Sequence, residues 1–168
     1  MAENLFAWAS IDENGHVSGG EAGDQTGREV KIGNYYDFGQ NYVLRFRSSS
    51  VGRSAGKIAK ALAKNNNIGY DQSQRFTLYS LAQSANWNFN ELKKLLKSRK
   101  VECDCSSFAA TVINLAFGKK VVPCFTTSTI RAYYDPVKLQ VMKLSDAKKK
   151  WHKGDMPFKA GKHIIINI

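Results

Sequence analysis

Residues 102–118 read Glu102-Cys103-Asp104-Cys105-Ser106-Ser107-Phe108, followed by Ala-Ala-Thr-Val-Ile-Asn-Leu-Ala-Phe-Gly. Phe108, Val112, Ile113, Leu115 and Ala116 recur at helical spacing. Gly118 stands where a left-handed C-cap would end the run. The pattern predicts a central helix from Asp104 to Gly118 with Cys105 at its first turn. A thiol there meets the positive end of the aligned peptide dipoles, which lowers its pKa and favours thiolate.

Working outward toward the C-terminus, Thr127-Ser128-Thr129 is placed to cap a short helix to Tyr134, which Pro136 breaks. Val137, Leu139 and Val141 alternate as a strand, and Ser145 to Trp151 reads as a basic helical turn. Gly154-Asp155 turns into Met156-Pro157-Phe158. Gly161-Lys162 turns again, and His163 to Ile168 reads as a closing strand. On the N-terminal side, residues 55–64 pattern as a helix ended by Asn65-Asn66-Asn67. Asp71-Gln72-Ser73-Gln74 has the form of a capping box for a helix through Phe76, Leu78, Leu81 and Ala82, and Asn90 is placed to cap a helix carrying Leu92, Leu95 and Leu96. Residues 5–11 and 42–47 read as strands, Asp12-Glu13-Asn14-Gly15 as a turn, and residues 18–27 as a Gly-rich polar loop. Helices first, then a cysteine-headed helix, then antiparallel strands imply an α+β domain.

The chain has 168 residues, 43% of them apolar, which suits one domain, 1–168, with one core. No run approaches the ~20 apolar residues of a membrane span. The N-terminus lacks a basic start and an apolar stretch, so no signal peptide is expected. Lys plus Arg total 25 against 14 Asp plus Glu, a formal charge of +11. That balance favours a polyanionic partner: nucleic acid, anionic lipid or an anionic cell wall. No zinc-finger, helix-turn-helix or RRM signature is present, which disfavours a specific nucleic-acid partner.

Three cysteines, Cys103, Cys105 and Cys124, make a disulfide framework an unsuitable reading. Neither their spacing nor the three histidines supply a zinc pattern, so no metal and no cofactor is expected. The thiols are either buried and inert or, at Cys105, reactive. His163, opening a strand after a glycine turn, is the candidate base for a thiol nucleophile. His16 and His152 read as solvated.

Asp104-Cys105-Ser106-Ser107-Phe108 resembles the nucleophile motif of the NlpC-type, papain-like cell-wall peptidases. Gly154-Asp155-Met156, a spacer and Gly161-Lys162-His163 followed by isoleucines resemble that group's histidine segment. Ala22-Gly23-Asp24-Gln25-Thr26-Gly27-Arg28-Glu29-Val30, Ile68-Gly69-Tyr70-Asp71-Gln72 and Thr127-Ser128-Thr129 resemble stretches of small bacteriophage lysins of this kind. The resemblance implies a papain-like (NlpC/CHAP-type) fold, with N-terminal helices and the nucleophile's helix packed on a C-terminal antiparallel sheet. It implies hydrolysis of a peptidoglycan amide, by an amidase or a stem-peptide endopeptidase. Cys105 would attack, His163 would shuttle the proton, and the backbone N–H of Cys105, at the helix N-terminus flanked by Asp104 and Ser106, would contribute to the oxyanion hole.

The same resemblance implies peptidoglycan and anionic wall polymers as partners, with phage tail proteins besides. The protein would act from a virion tail, or from the host cytoplasm through holin lesions. Family members carry a third polar residue near the histidine; Asn167, Asp24 and Gln25 are the candidates here. The chain departs from the family's pattern at Met156-Pro157 and in stopping at Ile168. The alternative is therefore a catalytically silent tail or wall-binding component with the same fold.

Overall fold

A computed structural model describes residues 4–168. Three strands precede the first helix: β1 (Leu5–Ala9), β2 (Val30–Asn34) and β3 (Tyr42–Phe46). Then come α1 (Ser49–Ala63), β4 (Ile68–Tyr70), α2 (Thr77–Ser84), α3 (Phe89–Leu95), β5 (Val101–Cys103) and α4 (Cys105–Phe117). The chain continues through α5 (Ile130–Tyr133), β6 (Leu139–Lys143), α6 (Leu144–Ala147), β7 (Met156–Lys159), β8 (His163–Ile164) and β9 (Ile166–Asn167). This is a mixed α and β fold with two antiparallel sheets, ordered β2-β1-β9 and β6-β3-β7-β8, and a parallel β4-β5 pair.

The central helix forms as its sequence predicts. Asp104 accepts from the Ser107 N–H at 2.6 Å while Ser107 Oγ accepts from the Asp104 N–H at 2.9 Å, a reciprocal capping box. Gly118 ends the helix at φ 64°, a left-handed conformation that costs glycine nothing. Every residue from Cys105 to Leu115 is buried, because α1, α2, β1, β5 and β8 all pack around this one helix. Ala109 and Ala110 keep its surface thin enough for those neighbours to approach. Gly52 of α1 lies so close to the Lys153–Gly154 backbone that a Cβ would sit 2.6 Å from the Lys153 carbonyl oxygen.

Several sequence expectations need correction. The sheets are not C-terminal alone, because β1, β2 and β3 supply their centres or edges. Helix α1 starts at Ser49 rather than 55, with Ser48 Oγ accepting from the Val51 N–H. Asp71 caps no helix. Its carboxylate accepts from the N–H groups of Ser73 and Gly19 and from the Ser73 hydroxyl, while α2 begins only at Thr77. Asn88, not Asn90, caps α3, accepting from the N–H groups of Asn90 and Glu91. The short helix after Thr127-Ser128-Thr129 runs from Ile130 to Tyr133, and the basic turn reduces to α6. Val137 lies outside β6 and is exposed.

Residues 163–168 are not one strand. His163 and Ile164 extend the β7 edge, and Ile166 and Asn167 cross to β1. Ile165 between them fills a second, smaller apolar cluster with Phe6, Trp8 and Phe38. Among the described residues, no helix is long and apolar enough to cross a membrane.

Candidate active site

Cys105 is the first residue of α4 and is 9% exposed. The backbone N–H of Ile164 faces its sulfur, as do those of Ser106 and Cys105 itself. Strand β8 therefore runs beside the start of α4, carrying His163 one residue before that contact. Burial pushes the Cys105 thiol up to about 12, and the Asp104 carboxylate adds to the rise; the three N–H groups pull the other way. The expectation of a lowered thiol pKa is thus reversed. The dipole of α4 acts on a sulfur withdrawn from water, and desolvation of the thiolate outweighs it.

His163 packs edge-on against Phe38, ring centroids 5.1 Å apart at 75°, with Tyr36 6.3 Å away. Burial, aided by the charges of Lys162 and Lys31, lowers its pKa to about 4. The imidazole is neutral at pH 7. Its Nε2 is buried with no hydrogen-bond partner. Two tyrosines flank the thiol. Tyr36 is exposed, and Tyr70 is buried with its hydroxyl accepting from Gln72 Nε2 at 3.1 Å. Burial raises both phenols to about 12, with the Cys105 thiol adding a smaller push.

The other candidates lie elsewhere. Asp24 is consumed by its own loop, accepting from the N–H groups of Thr26, Arg28, Glu29 and Val30. Gln25 Nε2 donates to the carbonyls of Glu21, Ala22 and Gly23. Asn167 is buried in the other sheet, its backbone paired with Asp155 and Gly154 and its Nδ2 without a partner. None of the three holds Nε2 of His163. Cys103 is fully buried and Cys124 half-buried, and all three thiols are free. His16 and His152 are exposed, as expected of solvated rings. Among the described residues, no group of three or more His, Cys, Asp or Glu side chains is arranged to hold a metal.

Two polar networks around the site had no local signal in the sequence. In the first, Arg75 Nε donates to Asp104 Oδ2 at 2.5 Å, while its Nη2 reaches Ser106 Oγ at 3.1 Å and the Phe125 carbonyl at 2.5 Å. Asp104 and Ser106, singled out as the helix N-terminus, are thereby tied to the chain on both sides. In the second, Glu29 and Glu102 seat the Gly-rich loop. Glu102 Oε1 accepts from the Gly23 N–H at 2.7 Å, and Glu29 bridges the N–H groups of Gln25 and Tyr70. Gly69 is required beneath them, since a Cβ there would stand 2.3 Å from the Gly23 carbonyl oxygen. Loop and thiol are thus linked through β4 and β5.

Lysines and arginines collect on α1 and beside α3. Arg53, Lys57 and Lys60 of α1 line a cavity of about 350 Å³ together with Lys153. Lys93, Lys94 and Lys97 line another beside α3.

A protein-family model described as an endolysin-like domain matches residues 6–168. No curated protein and no solved structure matches the chain.

Proposed function

The chain belongs to the endolysin-like domain family, and we propose that it is a phage-type peptidoglycan hydrolase in which Cys105 and His163 cleave an amide bond. The family points to a cell-wall role. The observation that carries the chemistry is the packing of β8 beside the start of α4, with the Ile164 N–H on the side of the Cys105 sulfur. It sets a histidine-bearing strand against a thiol at the start of a buried helix. The fold we assign is papain-like.

The pKa values dictate the form of the mechanism. With the thiol near 12 and the imidazole near 4, the resting pair is neutral rather than a thiolate–imidazolium ion pair. His163 takes the thiol proton as Sγ bonds to the scissile carbonyl carbon. The oxyanion that forms lies toward the N–H groups at the start of α4. His163 then gives the proton to the leaving amine as the C–N bond breaks, which leaves a thioester on Cys105. Water attacks that thioester with His163 as base, releasing the carboxylic acid and restoring the thiol.

The bond is either the amide joining glycan to peptide or one within the stem peptide. The basic faces of α1 and α3 would hold the enzyme on anionic wall polymers, so binding falls as salt rises. The setting is a virion tail, or the host cytoplasm with release through holin lesions.

A second reading has its own support. A thiol only 9% exposed, with a pKa near 12, suits a wall-binding tail component that keeps the fold without the reaction. Clearing of purified Gram-positive walls at low salt, by the wild type and by Cys105→Ala, decides between them. The hydrolase reading expects clearing by the wild type alone, with new amine and carboxyl ends identified by mass spectrometry of the fragments. Co-sedimentation of both proteins with walls that stay turbid would establish the silent reading.

A further inference from the structure

The most elaborate side-chain cluster outside the Cys105–His163 pair surrounds Arg75. The Arg75 side chain is 12% exposed and that of Asp104 11%. Asp104 also receives the Ser107 N–H and the Ser106 hydroxyl, both on Oδ1, and the second guanidinium nitrogen reaches the same oxygen at 3.4 Å. One carboxylate thus caps the helix, orders Ser106 and binds the arginine. The Phe125 carbonyl draws the segment after α4 onto the same guanidinium, and Cys124 lies close enough to feel its charge.

The carboxylate has to be adjacent to the thiol, because it is the N-cap of the helix that begins with Cys105. A full negative charge there opposes thiolate formation. We propose that Arg75 is a positioning residue for the Cys105 thiol: it holds Asp104 in an ion pair, so that the cap which starts the helix does not repel the thiolate as it forms. This inference rests on the reading of Cys105 as the reacting group. Among the described residues, the other titratable groups whose charge reaches the sulfur are Tyr70 on β4, Cys103 on β5 and Tyr36 after β2, and His163 stands on β8, which runs beside the start of α4. All are neutral at pH 7 by their pKa values or chemistry, so Asp104 and Arg75 are the two formal charges beside it.

Opposite charges at this range move a pKa by about one to three units. Each unit lowers the thiolate fraction about tenfold, and the greater nucleophilicity of the more basic thiolate returns roughly a factor of three. The assay is iodoacetamide labelling at pH 8 without cell wall, resolved by cysteine through peptide mass spectrometry. Labelling of Cys105 in Arg75→Met is expected to slow about three- to thirtyfold. In Asp104→Asn, where the amide still caps the helix, it is expected to quicken by a similar factor. The double variant returns to within about twofold of the wild type, because the two charges are removed together.

A merely structural role would move both single variants in the same direction, through loosening of the cap. That result, or a change under about twofold in both, overturns the proposal. Labelling of the fully buried Cys103 reports unfolding in the same experiment. Should Arg75→Met unfold, the sign of the Asp104→Asn effect decides. The readout needs no lytic activity, so failure of wall clearing and failure of this proposal are separate outcomes.

Discussion

Glu102→Gln tests the buried loop-seating network through the pH dependence of stability. Glu102 is 1% exposed. Its Oε1 accepts from the Gly23 N–H, and its Oε2 is buried without a partner. Burial foremost raises its pKa from 4.5 to about 8; the Gly23 bond opposes the rise and the charges of Glu29, Asp71 and Glu13 add to it. The folded state therefore keeps a proton that the unfolded chain releases above pH 4.5. Stability falls as pH climbs from there and levels off above 8, with a slope near 1.4 kcal/mol per pH unit for one proton. Between pH 5 and pH 8 the loss is about 4 kcal/mol.

Glutamine keeps an oxygen for the Gly23 N–H and carries no ionisable proton, so the variant loses this slope. Urea unfolding of both proteins at intervals from pH 5 to pH 9 measures it directly. The curves converge near pH 5, and at pH 8 the variant leads by about 4 kcal/mol, or about 8–16 °C in Tm. Parallel curves across the range would refute the argument, because they would mean that Glu102 ionises alike in both states.

Two further changes probe the same scaffold. His163 gives the opposite slope: with a folded pKa near 4 against 6.5 in the unfolded chain, its contribution is complete above 6.5 and is lost as pH falls toward 4. His163→Gln removes that acid slope, and an unchanged acid titration of stability would sink the reading. Asp155→Asn strips the charge from a carboxylate that grips Arg45 through two bonds of 2.6 and 2.7 Å. Leaving that guanidinium unpaired in a buried setting costs about 3–5 kcal/mol. A loss under 1 kcal/mol in urea unfolding would show that Arg45 finds water instead.

Legibility followed the range of the interactions. Helix α4 was readable because its cap, its apolar spacing and its terminal glycine all lie within one short stretch. The Asp71 segment carried a similar local pattern and misled, because Asp71 is recruited by Gly19 from a distant loop. The break at Ile165 could not be read, since six residues of strand-forming composition say nothing about which of two sheets each half will join. Nor could the site's surroundings. Arg75 meets Asp104, and Glu102 meets Gly23, only after the chain has folded. The thiol's acidity was misjudged for a related reason: a sequence shows a helix start but not the depth at which it is buried.

The crossing of β9 to β1 bears on how the protein assembles. Phe6 pairs with Asn167 and Ala7 with Ile166, so this sheet closes across nearly the whole chain. Contacts of such long sequence separation are slow to form. Until they do, one edge of β1 stays open and the segment after His163 is unanchored on that side. A second chain meeting that open edge can supply its own β9 in the same register, and refolding at high concentration is therefore expected to yield exchanged dimers.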